Sequence, residues 1–171
     1  VKQIELRLTS SDQLFDTRDP SPFHEKRIDD EASDYISNNA DDYSLKTRLL
    51  LRLEFAQIKH PEEDIIAAIH THFTDKMESV QFNLRRLLRL GVKSLGIGLV
   101  FLAICTAIGH LIPSDSGIFM EIAKEGLNLI PWVSLWFPIN IFLYDWRPYS
   151  HELKLYRKLS NIEIIIANGK S

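Results

Sequence analysis

Two uncharged blocks constrain this chain more than anything else in it. Ser94 to Ile112 reads SLGIGLVFLAICTAIGHLI and Gly126 to Tyr144 reads GLNLIPWVSLWFPINIFLY; each runs for 19 residues without an Asp, Glu, Lys or Arg. A helix of that length rises about 28 Å, close to the thickness of a bilayer's hydrocarbon core. The soluble alternative is a buried helical hairpin. Buried helices in a chain of 171 residues are ordinarily amphipathic and interrupted by charge. The blocks therefore read as a pair of membrane spans.

The flanks give an orientation. Arg85, Arg86, Arg89 and Lys93 precede the first block, and Arg147, Lys154, Arg157 and Lys158 follow the second. The connecting stretch from Pro113 to Glu125 sets Lys124 against Asp115, Glu121 and Glu125. An excess of Lys and Arg marks the cytoplasmic side. Both termini are thus expected in the cytoplasm with a short acidic loop outside, and the basic belts face anionic lipid at the inner surface. Lipid contact is expected to end near Tyr144, with Trp146 and Tyr149 at interfacial depth.

Within the spans the small and polar residues carry the packing argument. Ser94 and Gly98 are four apart, hence on one helix face, and admit a second helix closely. The preferred partner is the second span of the same chain, with dimerisation as the alternative. Pro131 and Pro138 each remove a backbone hydrogen bond and favour a kink. Asn140 needs a partner in lipid, and a helix–helix hydrogen bond is the expected one. His110 reads as a wetted structural residue near the outer interface.

Outside the blocks, three segments alternate with period two. Ile4, Leu6 and Leu8 share a face in VKQIELRL; Leu49, Leu51, Leu53 and Phe55 share one in TRLLLRLEF; Ile162, Ile164 and Ile166 share one in NIEIIIA. Such patterns predict half-buried strands. If the three pair, the spans are an insertion in a small domain whose ends meet in one sheet. Asp29 to Asn38 predicts a short helix with Ala32, Tyr35 and Ile36 inward. Pro61 and the run Glu62, Glu63, Asp64 predict the start of a long helix. Its stripe Ile65, Ile69, Phe73, Met77, Val80, Leu84 and Leu87 meets no breaker before Gly91. If continuous over about 50 residues it would measure roughly 75 Å. A last helix is expected over 150–160.

The fold class is therefore an α+β membrane protein: a two-helix transmembrane hairpin inserted in a small cytoplasmic domain with a short, three-stranded sheet and a long amphipathic helix. The expected division is 1–90 as cytoplasmic part, 91–146 as hairpin, and 147–171 as the returning helix and strand.

Chemistry is scarce in the sequence. The net charge of −3 argues against general nucleic-acid binding. The single cysteine, Cys105, cannot form an intrachain disulfide. VKQIELRLTSSD lacks the apolar core of a signal peptide. His70 and His72 are about 200° of helical rotation apart, so they cannot share a metal ion. There is no P-loop, GxGxxG, HExxH or nucleophile elbow. Asp29, Asp30, Glu31, Asp34, Asp41 and Asp42 lack a calcium-loop register and read as a solvated acidic face. No cofactor or metal is implied.

The segments LFDTRDPSPFHEKRIDDEASDYI, RLGVKSLGIGLVFLAICTAIGHLI and IFLYDWRPY together resemble a family of small uncharacterised bacterial proteins with two membrane spans. The likeness extends over most of the chain in the same order, and DPSPF and FLYDW are its most specific words. It implies a location in the bacterial inner membrane and assigns no activity. Members of that family carry Arg-Pro-Leu-Glu ahead of FLYDW, where this chain has Phe137-Pro138-Ile139-Asn140. No role for a membrane-buried Arg and Glu therefore carries over.

Three functions remain open at this point. The first is a non-enzymatic membrane scaffold or accessory subunit with a protein partner or a homo-oligomeric assembly. The second is a homo-oligomeric pore or transporter component, for which only Thr106, His110, Asn128, Ser134 and Asn140 offer polar lining. The third is a membrane-bound hydrolase or metal enzyme using the DPSPFHE segment.

Overall fold

The structure, a computed structural model, describes residues 1–16, 26–113 and 117–168. In chain order the elements are β1 (Lys2–Ser10), a 3-10 turn (Ser11–Leu14), α1 (Asp30–Asp41), β2 (Leu49–Gln57), α2 (Glu62–Leu111), α3 (Ile118–Asn140), a π-helical turn (Ile141–Asp145), α4 (Trp146–Leu159) and β3 (Glu163–Asn168). The described residues fall into two compact units. One is Val1–Gln81 with His151–Ser171, and the other is Phe82–Ser150. The DPSPFHE segment, with His24 and Glu25, lies outside the described residues.

In the first unit the three strands form one parallel sheet in the order β1-β2-β3. Ile4 pairs with Leu51 and Leu51 with Ile164; Leu6 pairs with Leu53 and Leu53 with Ile166. This register puts the apolar residues of all three strands on one face, because side chains alternate along each strand. That face builds the core with Ile36 and Ala40 of α1, Ile65, Ile69 and Phe73 of α2, and Leu155 and Leu159 of α4. Parallel neighbours need crossovers. α1 lies in the first; the second contains the whole of Phe82–Ser150.

The other sheet face carries charged side chains. Arg7 Nε lies 2.9 Å from Glu54 Oε2, Arg52 Nε 3.2 Å from Glu54 Oε1, and Arg48 Nη2 3.1 Å from Glu163 Oε2.

α1 differs from the expected helix at two points. It continues to Asp41, three residues past Asn38. Asn39 donates to the Tyr35 carbonyl at 2.8 Å, so this side chain bonds back along the helix rather than ending it. Tyr35 is exposed, not inward, and its hydroxyl donates to the Glu5 carbonyl at 3.2 Å. The inward stripe is Ala32, Ile36 and Ala40, one residue every turn.

Two helical runs are long and apolar enough to cross a membrane: Glu62–Leu111 and Ile118–Leu159. In the most apolar window of each, only 17% and 22% of the residues are buried. α3 begins eight residues before Gly126, since Glu121, Lys124 and Glu125 extend the helix beyond the uncharged block. It continues through Pro131 and Pro138. The last helix starts at Trp146, four residues before the expected Ser150, and follows the π-helical turn without a loop.

Candidate functional site

Within Phe82–Ser150 the sequence singled out packing residues and a basic belt. The buried residues of this part of α2 are Gly91, Gly98, Cys105 and Gly109. They are spaced by seven, seven and four, which keeps them on one face of a helix. Facing them are Asn128, Pro131, Leu135, Pro138 and Ile141; of these, all but Asn128 are buried. A Cβ at Gly98 would stand 2.7 Å from Leu135 Cδ2, and one at Gly91 3.0 Å from Ile141 Cγ2 and 3.1 Å from Phe142 Cζ. The glycines thus let α2 approach the second helix closely. Gly96 is the contrast: a side chain there meets nothing within 4 Å.

Ser94 is half-buried and shares a shallow recess of about 220 Å³ with Ile97, Gly98, Phe101 and Ser134. Asn140 has a different partner from the one expected. Its Nδ2 donates to Asp145 Oδ1 at 3.0 Å, five residues further along the same helical run. That spacing matches the π-helical turn between them, where residues five apart come into register. Pro148 lies three residues past the turn. It has no N–H to give the carbonyl of Tyr144 four residues earlier, so the α-helical ladder cannot continue unchanged there. Trp146 Nε1 supplies a donor to the Phe142 carbonyl at 2.8 Å.

The belt residues separate into kinds. Arg86, Arg89 and Lys93 line a groove of about 510 Å³ together with Asn83, Leu87, Leu90 and Tyr149. Spacings of three and four keep the three cations on one helix face. Arg85 is exposed and does not line it. Arg147 lies over the Tyr144 ring, with its guanidinium carbon 5.9 Å from the centroid. Lys154 and Arg157 are exposed on α4. Lys158 is half-buried, and its Nζ donates to the Ser44 carbonyl at 3.3 Å. Burial lowers its pKa. Lys158 therefore ties α4 to the segment ahead of β2.

The sheet-bearing unit has a second concavity, about 640 Å³, whose walls include Leu6, Phe15, Asp29, Asp30, Glu31 and Tyr35. Two of its carboxylates serve local structure. Asp29 caps α1 by accepting from the Glu31 N–H at 3.1 Å. Asp12, also on the wall, is bonded to Lys59 and lies 3.1 Å from His60 Nε2; both interactions hold its carboxyl below the usual carboxylate range. Among the acidic residues singled out from the sequence, Asp34 pairs with Lys76 at 3.6 Å and Asp41 with His151 at 2.6 Å. No group of three or more His, Cys, Asp or Glu among the described residues is placed to hold a metal ion.

The two helix histidines have separate tasks. His72 is buried, and its Nε2 is 2.8 Å from Ser33 Oγ on α1. Desolvation, with Lys76 and Arg27 nearby, lowers its pKa to about 4. His70 Nε2 lies 2.9 Å from the carbonyl of Ile162 and joins α2 to the approach to β3.

Three features of these sites were not read from the sequence: Gly91 as a contact rather than a stop, Gly109 at the same seam, and Tyr149 as a groove wall. The small-residue spacing of seven, seven and four was a signal for the first two. Tyr149 carried none, since its place depends on α4 starting directly after the π-helical turn.

Comparison with protein-family models, with curated proteins and with solved structures finds no match for this chain.

Proposed function

We propose that this chain is an integral protein of the bacterial inner membrane that acts as a non-enzymatic scaffold or accessory subunit. In this reading α2 from about Ser94 and α3 with the π-helical turn form a transmembrane hairpin. The sheet-bearing unit and both termini are cytoplasmic. The observation that carries the reading is apolar exposure. Ile97, Val100, Trp132, Val133 and Trp136 are all more than 60% exposed, on helices of spanning length. Leaving such a surface in water forfeits the burial that stabilises soluble folds, at about 25 cal/mol per Å². Lipid removes that cost. The clustering of Lys and Arg ahead of Ser94 and after Tyr144 supports the orientation.

The scaffold assignment rests on the sheet-bearing unit. Its parallel sheet carries charged side chains on one face, and among the described residues His60, His70, His72 and His151, with Asp12, Asp29, Asp34 and Asp41, are engaged in local contacts. A protein partner, or further copies of the chain, would meet this unit on the cytoplasmic side.

Membrane fractionation with carbonate washing, followed by protease protection of tagged termini in spheroplasts, tests the membrane reading. The chain should stay in the washed pellet, and both tags should be cleaved only after lysis. A tag cleaved in intact spheroplasts reverses the topology, and a chain released by carbonate removes the membrane reading. Crosslinking in native membranes tests the scaffold reading: a chain recovered only as an uncrosslinked monomer would overturn it.

A further inference from the structure

We infer that Arg86, Arg89 and Lys93, with Tyr149 opposite them, bind the phosphate of one anionic phospholipid headgroup per chain. This rests on the membrane reading and goes beyond it: a belt that only sets topology needs no pocket.

The groove's composition points to a phosphate. Its walls are formed by residues that carry two guanidinium groups, one ammonium, one amide and one phenol: Arg86, Arg89, Lys93, Asn83 and Tyr149 line one concavity of about 510 Å³. Guanidinium is the side chain best matched to phosphate oxygens, because its N–H groups form a rigid fork. Among the described residues no carboxylate lines the groove. Among the described residues no carboxylate pairs with Arg86, Arg89 or Lys93 either. Three like charges at spacings of three and four repel one another along a helix, and an anion held among them reverses that sign.

The position points to a lipid as the source. Lys93 is the last charged residue before the uncharged stretch that starts at Ser94. A helix entering a bilayer at Ser94 holds the preceding turns at the depth of the headgroup phosphates. Leu87 and Leu90 supply apolar wall between the cations, which suits the glycerol end of a lipid better than a fully hydrated ion. Tyr149, half-buried, places an aromatic ring with a polar tip at the same depth. The other belt residues lack this arrangement: Arg147 lies over Tyr144, and Lys158 is bonded to Ser44.

The test counts lipid. The full chain, in neutral detergent, is titrated with phosphatidylglycerol, and retained lipid is read by native mass spectrometry. One phosphatidylglycerol per chain is expected. The triple variant Arg86→Gln, Arg89→Gln, Lys93→Gln should bind at least tenfold more weakly, and Tyr149→Phe about threefold. The control Arg85→Gln, Lys154→Gln, Arg157→Gln removes equal charge outside the groove and should stay within twofold of the parent. Arg89→Lys keeps the charge but loses the fork, so it should fall between parent and triple variant; it serves if the triple variant fails to fold. Equal losses in control and triple variant would establish a diffuse belt and overturn the site. Equal retention of phosphatidylcholine would overturn it too. Displacement of the lipid by millimolar inorganic phosphate would assign the groove to a free anion and remove the lipid. Carbonate-washed membranes are run in parallel: a parent chain that washes off ends the membrane reading, while a chain that stays but shows no stoichiometric lipid ends this inference alone.

Discussion

Gly98 of α2 and Leu135 of α3 stand so close that a Cβ on the glycine would lie 2.7 Å from Leu135 Cδ2. The obstructing atom is the end of a flexible side chain, so the contact can yield to one methyl group but not to a branched residue. Gly98→Ala should cost under about 1 kcal/mol, and Gly98→Val about 1–3 kcal/mol by overpacking. Leu135→Ala should relieve much of the Gly98→Val penalty, giving a coupling detectable in a double-mutant cycle. Gly96→Ala, with nothing within 4 Å, should be neutral or stabilising through helix propensity. Melting of the purified chain in one detergent reads all five variants, the double included. Equal destabilisation by the changes at 96 and 98 would show that the helices do not meet along this face.

The π-helical turn gives a second prediction. Asn140 Nδ2 and Asp145 Oδ1, 3.0 Å apart, bracket Ile141–Asp145. Asn140→Leu removes the donor and should lower stability by about 1–2 kcal/mol. Asn140→Asp sets two carboxylates against each other and should cost more than the leucine. Equilibrium unfolding in detergent measures both. A leucine variant as stable as the parent would mean that the Asn140–Asp145 bond does not hold the turn.

The strands were legible because alternation is a local property: Leu49, Leu51, Leu53 and Phe55 declare their face without knowledge of their neighbours. The inward stripe of α1 was partly legible, with Ala32 and Ile36 found and Tyr35 misplaced. Tyr35 is amphipathic, and its hydroxyl reaches the backbone of β1, a partner 30 residues away that no helical period reveals. The candidate groove was half legible. Arg86, Arg89 and Lys93 stand out as charge ahead of an apolar block, but so does Arg85, and only geometry separates them. Asn140 was recognised as polar and in need of a partner. The expected partner was on the other helix; the π-helical turn instead brings Asp145, five positions later in the same run, into reach.

Leu53 gives a test of the sheet. It is fully buried in the central strand, between Leu6 and Ile166. Leu53→Ala should cost about 2–5 kcal/mol, the range for truncating a large core side chain. Arg48 and Glu163 also join β2 to β3, at 3.1 Å, but their side chains are 76% and 53% exposed. Arg48→Gln should therefore change stability by less than about 1 kcal/mol. Denaturant melts of the two variants should differ accordingly. A larger loss at Arg48 than at Leu53 would contradict a sheet held by its apolar face.

His72 gives the pH dependence. Its pKa falls from 6.5 to about 4 in the folded chain, because burial disfavours the imidazolium and Lys76 and Arg27 oppose it more than Asp30 and Asp34 favour it. Between these values the unfolded chain takes up a proton that the folded chain does not. Stability contributed by the neutral ring is therefore complete above about pH 6.5, declines as pH falls through the window, and levels off below about pH 4. The decline should amount to about 2–3 kcal/mol. Asp12, with its carboxyl held below 3.8, loses its own contribution at lower pH, so pH 4.5 to 6.5 isolates the histidine. His72→Gln has no proton to take up and can still hydrogen-bond Ser33. Its stability should vary much less across that interval than the parent's, as read from denaturant midpoints at half-unit steps in a single detergent. Parallel pH profiles for the two proteins would show that His72 takes up its proton at the same pH folded and unfolded, so that burial does not hold the ring neutral.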